Sequence, residues 1–548
     1  MDESVGTSSS GTGEAVSSVG GSLLAGIMVI GLYLRWEHVR NYGFLLSGDD
    51  GVVALMGLHM VSGTDFPLVF YGQHYMGTLD ALVAGLFFAL FGVSGVVYKA
   101  TVLLFAAVTL TVAGWSAWRW LGWRRAVAAV GLMAFAPATI RWQMDQPNYG
   151  LLFLFGALML GLTLRMLAKA EDGACPWPIG FWCLWAFVAG LGFWANSLLL
   201  ALIAPVPALL WLRWGAPPRR VVWGALGCWL AGLLPLAIHN VVYPLATLRQ
   251  FAGFFLDVSS RDAVQDLSPI GVLLRGLWHR IDPTVVGRNV LVAVGGFGFD
   301  DYPLVRGLGL AAAVGLLALV GVQAVEWFRC TGRQGWRQGL SSLDGAMRAW
   351  LLSAAGLVVL LGSTRTRYMA LLTMIVPFLC VMRPQAVEWR RPQRLLAAGV
   401  ALYVVFASLT VMVVRPMRTD NPVPALVRFL DAHALTRGYA GFELAYPVVV
   451  ESHERIVVSP LAGPFVANRY PPFTHAVEAA SSVFYVYPSG DPLAQALGDY
   501  LAGQALSFET ADVEGHRVYW GFSRPVRPDE FLPEPLLNDY RRERGEAG

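Results

Sequence analysis

What most constrains this chain is a succession of apolar runs, each long enough or nearly long enough to cross the hydrocarbon of a bilayer. A straight helical span takes about 20 residues. Candidate runs cover 23–36, 98–118, 126–140, 149–167, 179–194, 198–211, 221–239, 307–325, 350–362, 368–382 and 395–414, which makes eleven. The shorter ones are expected to extend into their polar flanks. The stretch 79–91 is apolar but too short for a span, and Asp80 at its start suits a helix lying along the membrane surface. These runs account for an unusual composition: 56% of the 548 residues are hydrophobic and only 14% charged, where a soluble domain runs near a quarter charged. The expectation is an α-helical polytopic membrane protein.

The basic residues set the expected topology. Alternate loops hold Arg119, Arg124 and Arg125; Arg165 and Lys169; Arg213, Arg219 and Arg220; Arg329, Arg333 and Arg337; and Arg383, Arg390, Arg391 and Arg394. The opposite turns hold little more than Arg141 and the pair Arg365/Arg367. Positive loops stay inside, so the pattern places the N-terminus in the cytoplasm and the C-terminus outside, in a multi-pass protein of the cell inner (plasma) membrane. The Ser/Gly-rich residues 1–20 lack Lys and Arg and read as a disordered cytoplasmic tail rather than a cleaved signal. Residues 21–414 form the transmembrane domain, with outer loops 37–97 and 241–306. Residues 415–523 suggest a small extracytoplasmic α/β domain, with a helix over 423–433 and strands over 445–450, 455–459, 482–487 and 518–522; a polar tail, 524–548, follows. A net charge of +3 with no basic stripe argues against nucleic acid. The five cysteines lie in or beside apolar segments, fit no zinc spacing, and leave the C-terminal region without a disulfide.

The sharpest chemical feature is Ser47-Gly48-Asp49-Asp50-Gly51, just past the first span. Two adjacent carboxylates at a membrane boundary are functional candidates, one of them able to act as a general base. The plainer reading is a solvated acid capping the next helix. Tyr71, Gln73, His74 and Tyr75 follow in an aromatic, amide-rich stretch. Such residues suit the apolar faces and rim hydroxyls of a sugar, or equally an interfacial aromatic belt. Arg365, Arg367 and Tyr368 open the tenth helix on the outer side. Outer arginines call for compensation, by a phosphate gripped bidentately or by Asp300, Asp301 or lipid headgroups. Arg141, Asp145, Asn196 and His239 face the same side and are substrate-binding candidates, or ordinary helix-end polar groups. Glu451-Ser452-His453-Glu454-Arg455 lacks the second His of a metalloprotease motif, and no P-loop is present.

The acid pair after the first helix, the interfacial helix ending in Leu90-Phe91-Gly92 and the Arg367-Tyr368 to Pro377 segment together resemble the GT-C glycosyltransferases. The chain is similar to the bacterial protein-mannosyltransferase-like group of glycosyltransferase family 39 type. Trp194-Ala195-Asn196 and His239-Asn240 through Pro244 add to the likeness, which covers 23–414; Glu454-Arg455-Ile456 and Asn468-Arg469-Tyr470-Pro471 resemble the outer domain of uncharacterised members. The resemblance implies a polyprenyl-phosphate-linked sugar donor and an inverting transfer outside the cytoplasm, to an acceptor protein, lipid or glycan. It makes an acid of the first outer loop the base, matched by Asp49 or Asp50 where family members more often carry Asp-Glu. It assigns Arg365 and Arg367 to the donor phosphate. A divalent cation is left open, with Asp49, Asp50 and Asp145 as oxygen ligands. A transporter or flippase of lipid-linked saccharide is the alternative. That fold calls for paired repeats and interrupted helices, and no repeat is visible. A sensory protein would need a cytoplasmic output module, for which the inner loops are too short.

Overall fold

The structure is a computed structural model that describes residues 10–171, 177–256, 282–293, 303–362, 366–382, 398, 421–461 and 468–543. Its helices include α1 (Ser10–Asn41), α2 (Gly48–Ser62), α3 (Leu79–Phe91), α4 (Gly95–Leu121), α5 (Trp123–Phe135), α6 (Pro137–Asp145), α7 (Tyr149–Glu171) and α8 (Ile179–Ala195). They continue with α9 (Pro205–Trp214), α10 (Arg219–Gly232), α11 (Leu234–Val242), α12 (Pro283–Leu291), α13 (Pro303–Gln334), α14 (Leu343–Gly362) and α15 (Leu372–Cys380). The C-terminal region adds α16 (Val423–Ala432), α17 (Phe442–Glu451), α18 (Pro471–Glu478), α19 (Pro492–Gly503) and α20 (Glu534–Glu543). Internal contacts divide the chain into two compact units. One comprises 1–38, 102–144 and 148–416; the other comprises 39–101, 145–147 and 417–548.

The first unit is helical and built for a bilayer. Among the described residues of the whole chain, five helical stretches are long and apolar enough to cross: Val19–Asn41, Gly95–Leu121, Tyr149–Lys169, Ser197–Trp214 and Leu343–Gly362. A sixth is added if α10 and α11, bent by 64°, count as one span. Leu79–Phe91, Ile179–Ala195 and Thr366–Cys380 are apolar but shorter. The protein is therefore a multi-pass membrane protein. Of the eleven expected spans, 395–414 lies outside the described residues except for position 398.

Several runs expected to be continuous are interrupted, two of them at or beside a proline. The run 126–140 breaks between α5 and α6 at Pro137, whose missing N–H and bulky ring end a helix. The break frees carbonyls that hydrocarbon cannot satisfy. Arg35, wholly buried in α1, supplies donors: Nη1 to the carbonyls of Ala134 and Gly31, each at 2.8 Å, and Nε to Gln143 Oε1 at 2.7 Å. The 221–239 run bends at Leu233, just before Pro235. The 368–382 run splits into a 3-10 turn over Thr366–Met369 and α15, which carries Pro377 internally. At the other end of the chain, α1 starts at Ser10, inside the stretch expected to be a tail.

The second unit joins α2 and α3 to a five-stranded sheet of order β2-β1-β3-β5-β4. The strands are β1 (Arg437–Ala440), β2 (Val457–Pro460), β3 (Phe484–Pro488), β4 (Glu509–Val513) and β5 (His516–Trp520). β1 pairs in parallel with β2 and β3; β5 pairs antiparallel with β3 and β4. The C-terminal region is thus a small α/β domain, and its helix α16 falls where the sequence places it. One expected strand is corrected: 445–450 lies within the helix α17, which packs on α2. Every residue from Leu444 to Val450 is buried, so the run lacks the alternation that separates a strand from a buried helix. β4 escaped notice because its Glu-Thr-Ala-Asp-Val is polar, as suits a short edge strand.

Candidate functional site

The acid pair opens α2, and hydrogen bonding to the helix start gives its two members different surroundings. Ser47 is the N-cap: its Oγ accepts from the Asp50 amide at 3.1 Å, and Asp50 Oδ2 accepts from the Ser47 amide at 3.2 Å. This reciprocal cap turns Asp50 back into the protein. There, Tyr98 donates to Oδ1 at 3.1 Å and the Lys99 ammonium donates to Oδ2 at 2.8 Å. Asp50 is 1% exposed and Lys99 4%. Asp50 is therefore one half of a buried, hydrogen-bonded ion pair.

Asp49, one residue earlier, points elsewhere. Its side chain is 25% exposed, and Arg469 Nη2 lies 3.4 Å from its Oδ1. The neighbouring Gly48 amide donates to Glu443 Oε2 at 2.7 Å. Burial raises the Glu443 carboxyl above its ordinary value; the Gly48 bond opposes this, and the charges of Asp49 and Asp50 add to it. The glycines of the motif allow α2 to lie against α17. A Cβ on Gly48 would stand 2.5 Å from the Phe442 ring, and one on Gly51 2.8 Å from both Pro447 and Tyr446.

Arg469 is held by the same framework. Its guanidinium lies over the rings of Phe70 (5.6 Å) and Phe442 (5.9 Å), a favourable setting for a planar cation. The amides of Arg469 and Tyr470 both donate to the buried Tyr446 hydroxyl, at 2.8 and 3.1 Å. Beside it runs a polar chain: Tyr71 donates to Asp65 at 2.8 Å, His59 Nδ1 lies 2.8 Å from the Tyr71 hydroxyl, and His59 Nε2 lies 2.9 Å from Glu454. Burial and the bond to Asp65 push the Tyr71 phenol well up, so it stays a proton donor. Tyr470 packs on the Tyr71 and His59 rings at 4.9 and 5.1 Å. Glu454 reaches His59 from a turn in which His453 and Glu454 both take left-handed φ, 53° and 60°. That conformation is uncommon outside glycine and clusters where surrounding structure imposes it.

Of the candidates named from sequence, Asp49, Asp50, Tyr71, Gln73, His74, Tyr75 and Asp145 belong to this unit. Gln73, His74 and Tyr75 are half-buried in a loop closed by the Phe70 amide on the Met76 carbonyl (2.8 Å). Arg141, Asn196, His239, Arg367 and Tyr368 belong to the other unit, and Arg365 lies outside the described residues. In that unit the Arg367 guanidinium lies 5.4 Å from the Tyr368 ring centre, and Thr366 donates to Asn289 at 3.1 Å. Asn196 is buried and caps a short turn through the Leu198 amide; His239 is buried against Tyr243. Among the described residues, no group of three or more His, Cys, Asp or Glu is placed to hold a metal ion. Both oxygens of Asp50 are engaged within the protein.

Sequence reasoning assigned no role to Lys99, Tyr98, Glu443 or His59. Lys99 had a legible signal: it is one of two lysines in the chain and sits at the head of an apolar run, where an ionisable residue implies a partner. Glu443 had none, since Gly48, whose amide it accepts from, stands 395 residues away; Arg469 stood out only within the Asn468–Pro471 segment, with no role attached.

No protein-family profile matches the chain, and no curated protein matches it. Among solved structures, the chain is similar to ArnT from Cupriavidus metallidurans bound to undecaprenyl phosphate, with 16% identity, a TM-score of 0.45, and coverage of 93% of this chain and 98% of that one. It is similar to the apo state of the same protein at 17% identity and a TM-score of 0.43, with the same coverage. It is also similar to the oligosaccharyltransferase of Archaeoglobus fulgidus in the apo form, with 14% identity, a TM-score of 0.45, and coverage of 93% of this chain and 75% of that one.

Proposed function

We propose that the chain is a membrane glycosyltransferase that moves a sugar from a polyprenyl-phosphate donor to an acceptor on the extracytoplasmic side, by inverting displacement. The observation that carries the reading is the division between the adjacent acids: Asp50 is buried and neutralised by Lys99, while Asp49 keeps a quarter of its side chain exposed. Asp49 is then the general base. It sits in the first turn of α2, where the helix dipole favours a carboxylate. The GT-C resemblance of the sequence supports a base at this position and a phosphate leaving group. In this reading Arg365 and Arg367 steady the donor phosphate, and Tyr71, Gln73, His74, Tyr75, Arg141, Asp145, Asn196, His239 and Tyr368 contribute to substrate binding. The protein sits in the inner membrane, N-terminus inside. The test is transfer of radiolabelled sugar from polyprenyl phosphate in membrane vesicles. Asp49→Asn is expected to lower turnover about 100- to 10,000-fold, the usual worth of a general base. Undiminished transfer in Asp49→Asn would remove the assignment, and transfer unaffected in the Asp49→Asn/Asp50→Asn double variant would remove the reading.

The bend of 64° between α10 and α11 is an observation on the side of a transporter or flippase, whose substrate sites use interrupted helices. Movement of lipid-linked saccharide across vesicles, without any transfer to acceptor, would favour it.

A further inference from the structure

We propose that His59 is a positioning residue of the substrate-binding surface: it stands there as an imidazolium and, by donating from both ring nitrogens, holds Tyr71 and the C-terminal domain's Glu454 to α2. The inference rests on the glycosyltransferase reading above, which gives Tyr71 a part in substrate binding, and deepens it. Counting protons carries it. Three hydrogen bonds run in series: Asp65 to Tyr71 at 2.8 Å, Tyr71 to His59 Nδ1 at 2.8 Å, and His59 Nε2 to Glu454 at 2.9 Å. Three bonds need three protons, and the carboxylates at the two ends bring none. The Tyr71 hydroxyl brings one and donates it to Asp65. Nδ1 must then donate to the Tyr71 oxygen and Nε2 to Glu454, so the imidazole supplies both remaining protons. A neutral ring would leave one of these close approaches with two lone pairs facing each other. Moving the missing proton to a carboxyl does not remove the conflict, because imidazole is intrinsically the stronger base.

The surroundings suit a cation. The His59 side chain is 0% exposed, and a charge so enclosed needs a partner. Glu454, 30% exposed, supplies one, with Asp65 a single hydroxyl further on. The Tyr470 and Tyr71 rings lie 5.1 and 5.8 Å from the imidazole, within the range at which an aromatic ring stabilises a cation. Burial and the bond to Asp65 keep the Tyr71 phenol protonated. The other acids on the neighbouring elements have bonds of their own. Asp80 of α3 accepts from the Ala81 amide, Glu443 and Glu451 of α17 accept from the Gly48 and Gly95 amides, and Asp49 and Asp50 stand at the opposite end of α2. One ring thus fixes α2, the loop that carries Tyr71 and the left-handed turn that carries Glu454. Loss of one ring proton removes a donor, and one of the three bonds must then break.

Ring protonation can be read without any transfer assay. The full chain, carrying isotope-labelled histidine, is studied in detergent at neutral pH by nitrogen NMR, where a protonated ring nitrogen shows a one-bond coupling to hydrogen. The His59 signals are those lost in His59→Gln and shifted in Glu454→Gln; the second variant makes the assignment if the first does not fold. Both His59 nitrogens are expected to carry hydrogen, and a single protonated nitrogen overturns the inference. Sugar transfer in membrane vesicles is the second readout. His59→Gln and Glu454→Gln should each lower kcat/KM about 10- to 100-fold, the usual range for a hydrogen bond to a charged group. The double variant should lose no more than the worse single one, as groups acting through one contact do. His59→Gln should also flatten the alkaline limb of the wild-type pH profile, which a purely structural role would leave in shape. Additive losses, or an alkaline limb unchanged in His59→Gln, overturn the positioning role. If the wild type transfers no sugar while His59 carries both protons, the glycosyltransferase reading falls and His59 still holds Tyr71 and Glu454 to α2.

Discussion

Replacing Lys99 by Met isolates the contribution of the buried pair from that of the exposed acid. The substitution keeps most of the side-chain volume and removes the ammonium 2.8 Å from Asp50 Oδ2, in a setting where the two side chains are 5% and 2% exposed. The carboxylate would keep its bonds from Tyr98 and the Ser47 amide but lose its counter-charge. Breaking a buried pair on one side costs about 3–5 kcal/mol, because an uncompensated charge stays behind. For a domain of 150–250 residues each kcal/mol lowers the midpoint by about 2–4 °C, so a drop of about 6–20 °C is expected. The Lys99→Met/Asp50→Asn double variant removes both charges and keeps an oxygen for Tyr98 and Ser47. It should recover most of the loss, as a coupled pair does. The assay is protease resistance of the full-length chain in detergent after stepped heating. A Lys99→Met midpoint within about 1 °C of wild type, far below the expected drop, would refute a buried pair. So would a double variant no more stable than the single one.

Two further outcomes follow from the same contacts. Gly51→Ala places a Cβ 2.8 Å from Pro447 and Tyr446 and should destabilise by about 1–3 kcal/mol through overpacking; an unchanged unfolding midpoint would mean that α2 and α17 do not approach so closely. The Glu443 carboxyl is held above the ordinary glutamate value, chiefly by desolvation of the carboxyl group. Its contribution is therefore fully present below that value and lost as pH rises through the raised one. Glu443→Gln, which keeps an acceptor for the Gly48 amide, should flatten the stability curve across that window and match or exceed wild type at neutral pH; a steeper curve would contradict it.

Much of the architecture was legible because its causes are local. The bilayer demands continuous apolar runs, and α4, α7 and α14 lie on runs that display them. The short helix α3 has the bounds read from sequence, since Thr78 and Gly92 bracket a stretch that is apolar but for Asp80. Prolines 137 and 235 were visible too, yet their consequence was not. Whether a proline bends a span depends on what satisfies the freed carbonyls, and for the first break that donor is Arg35, roughly a hundred residues earlier in the chain.

The cap signature Ser47-x-x-Asp50 is written in four consecutive residues, so a helix start at the acid pair could be read directly. Which acid is buried could not, because burial and counter-charge are supplied from afar. Lys99 stands 49 residues from Asp50, Glu443 stands 395 from Gly48, and Arg469 stands 420 from Asp49. The amino-acid sequence alone determined a chain of membrane-crossing helices with two acids at the head of α2. Only the tertiary structure decided that one acid is sealed in an ion pair and the other is turned toward an arginine, since electrostatic pairing depends on distance in space and is blind to distance along the chain.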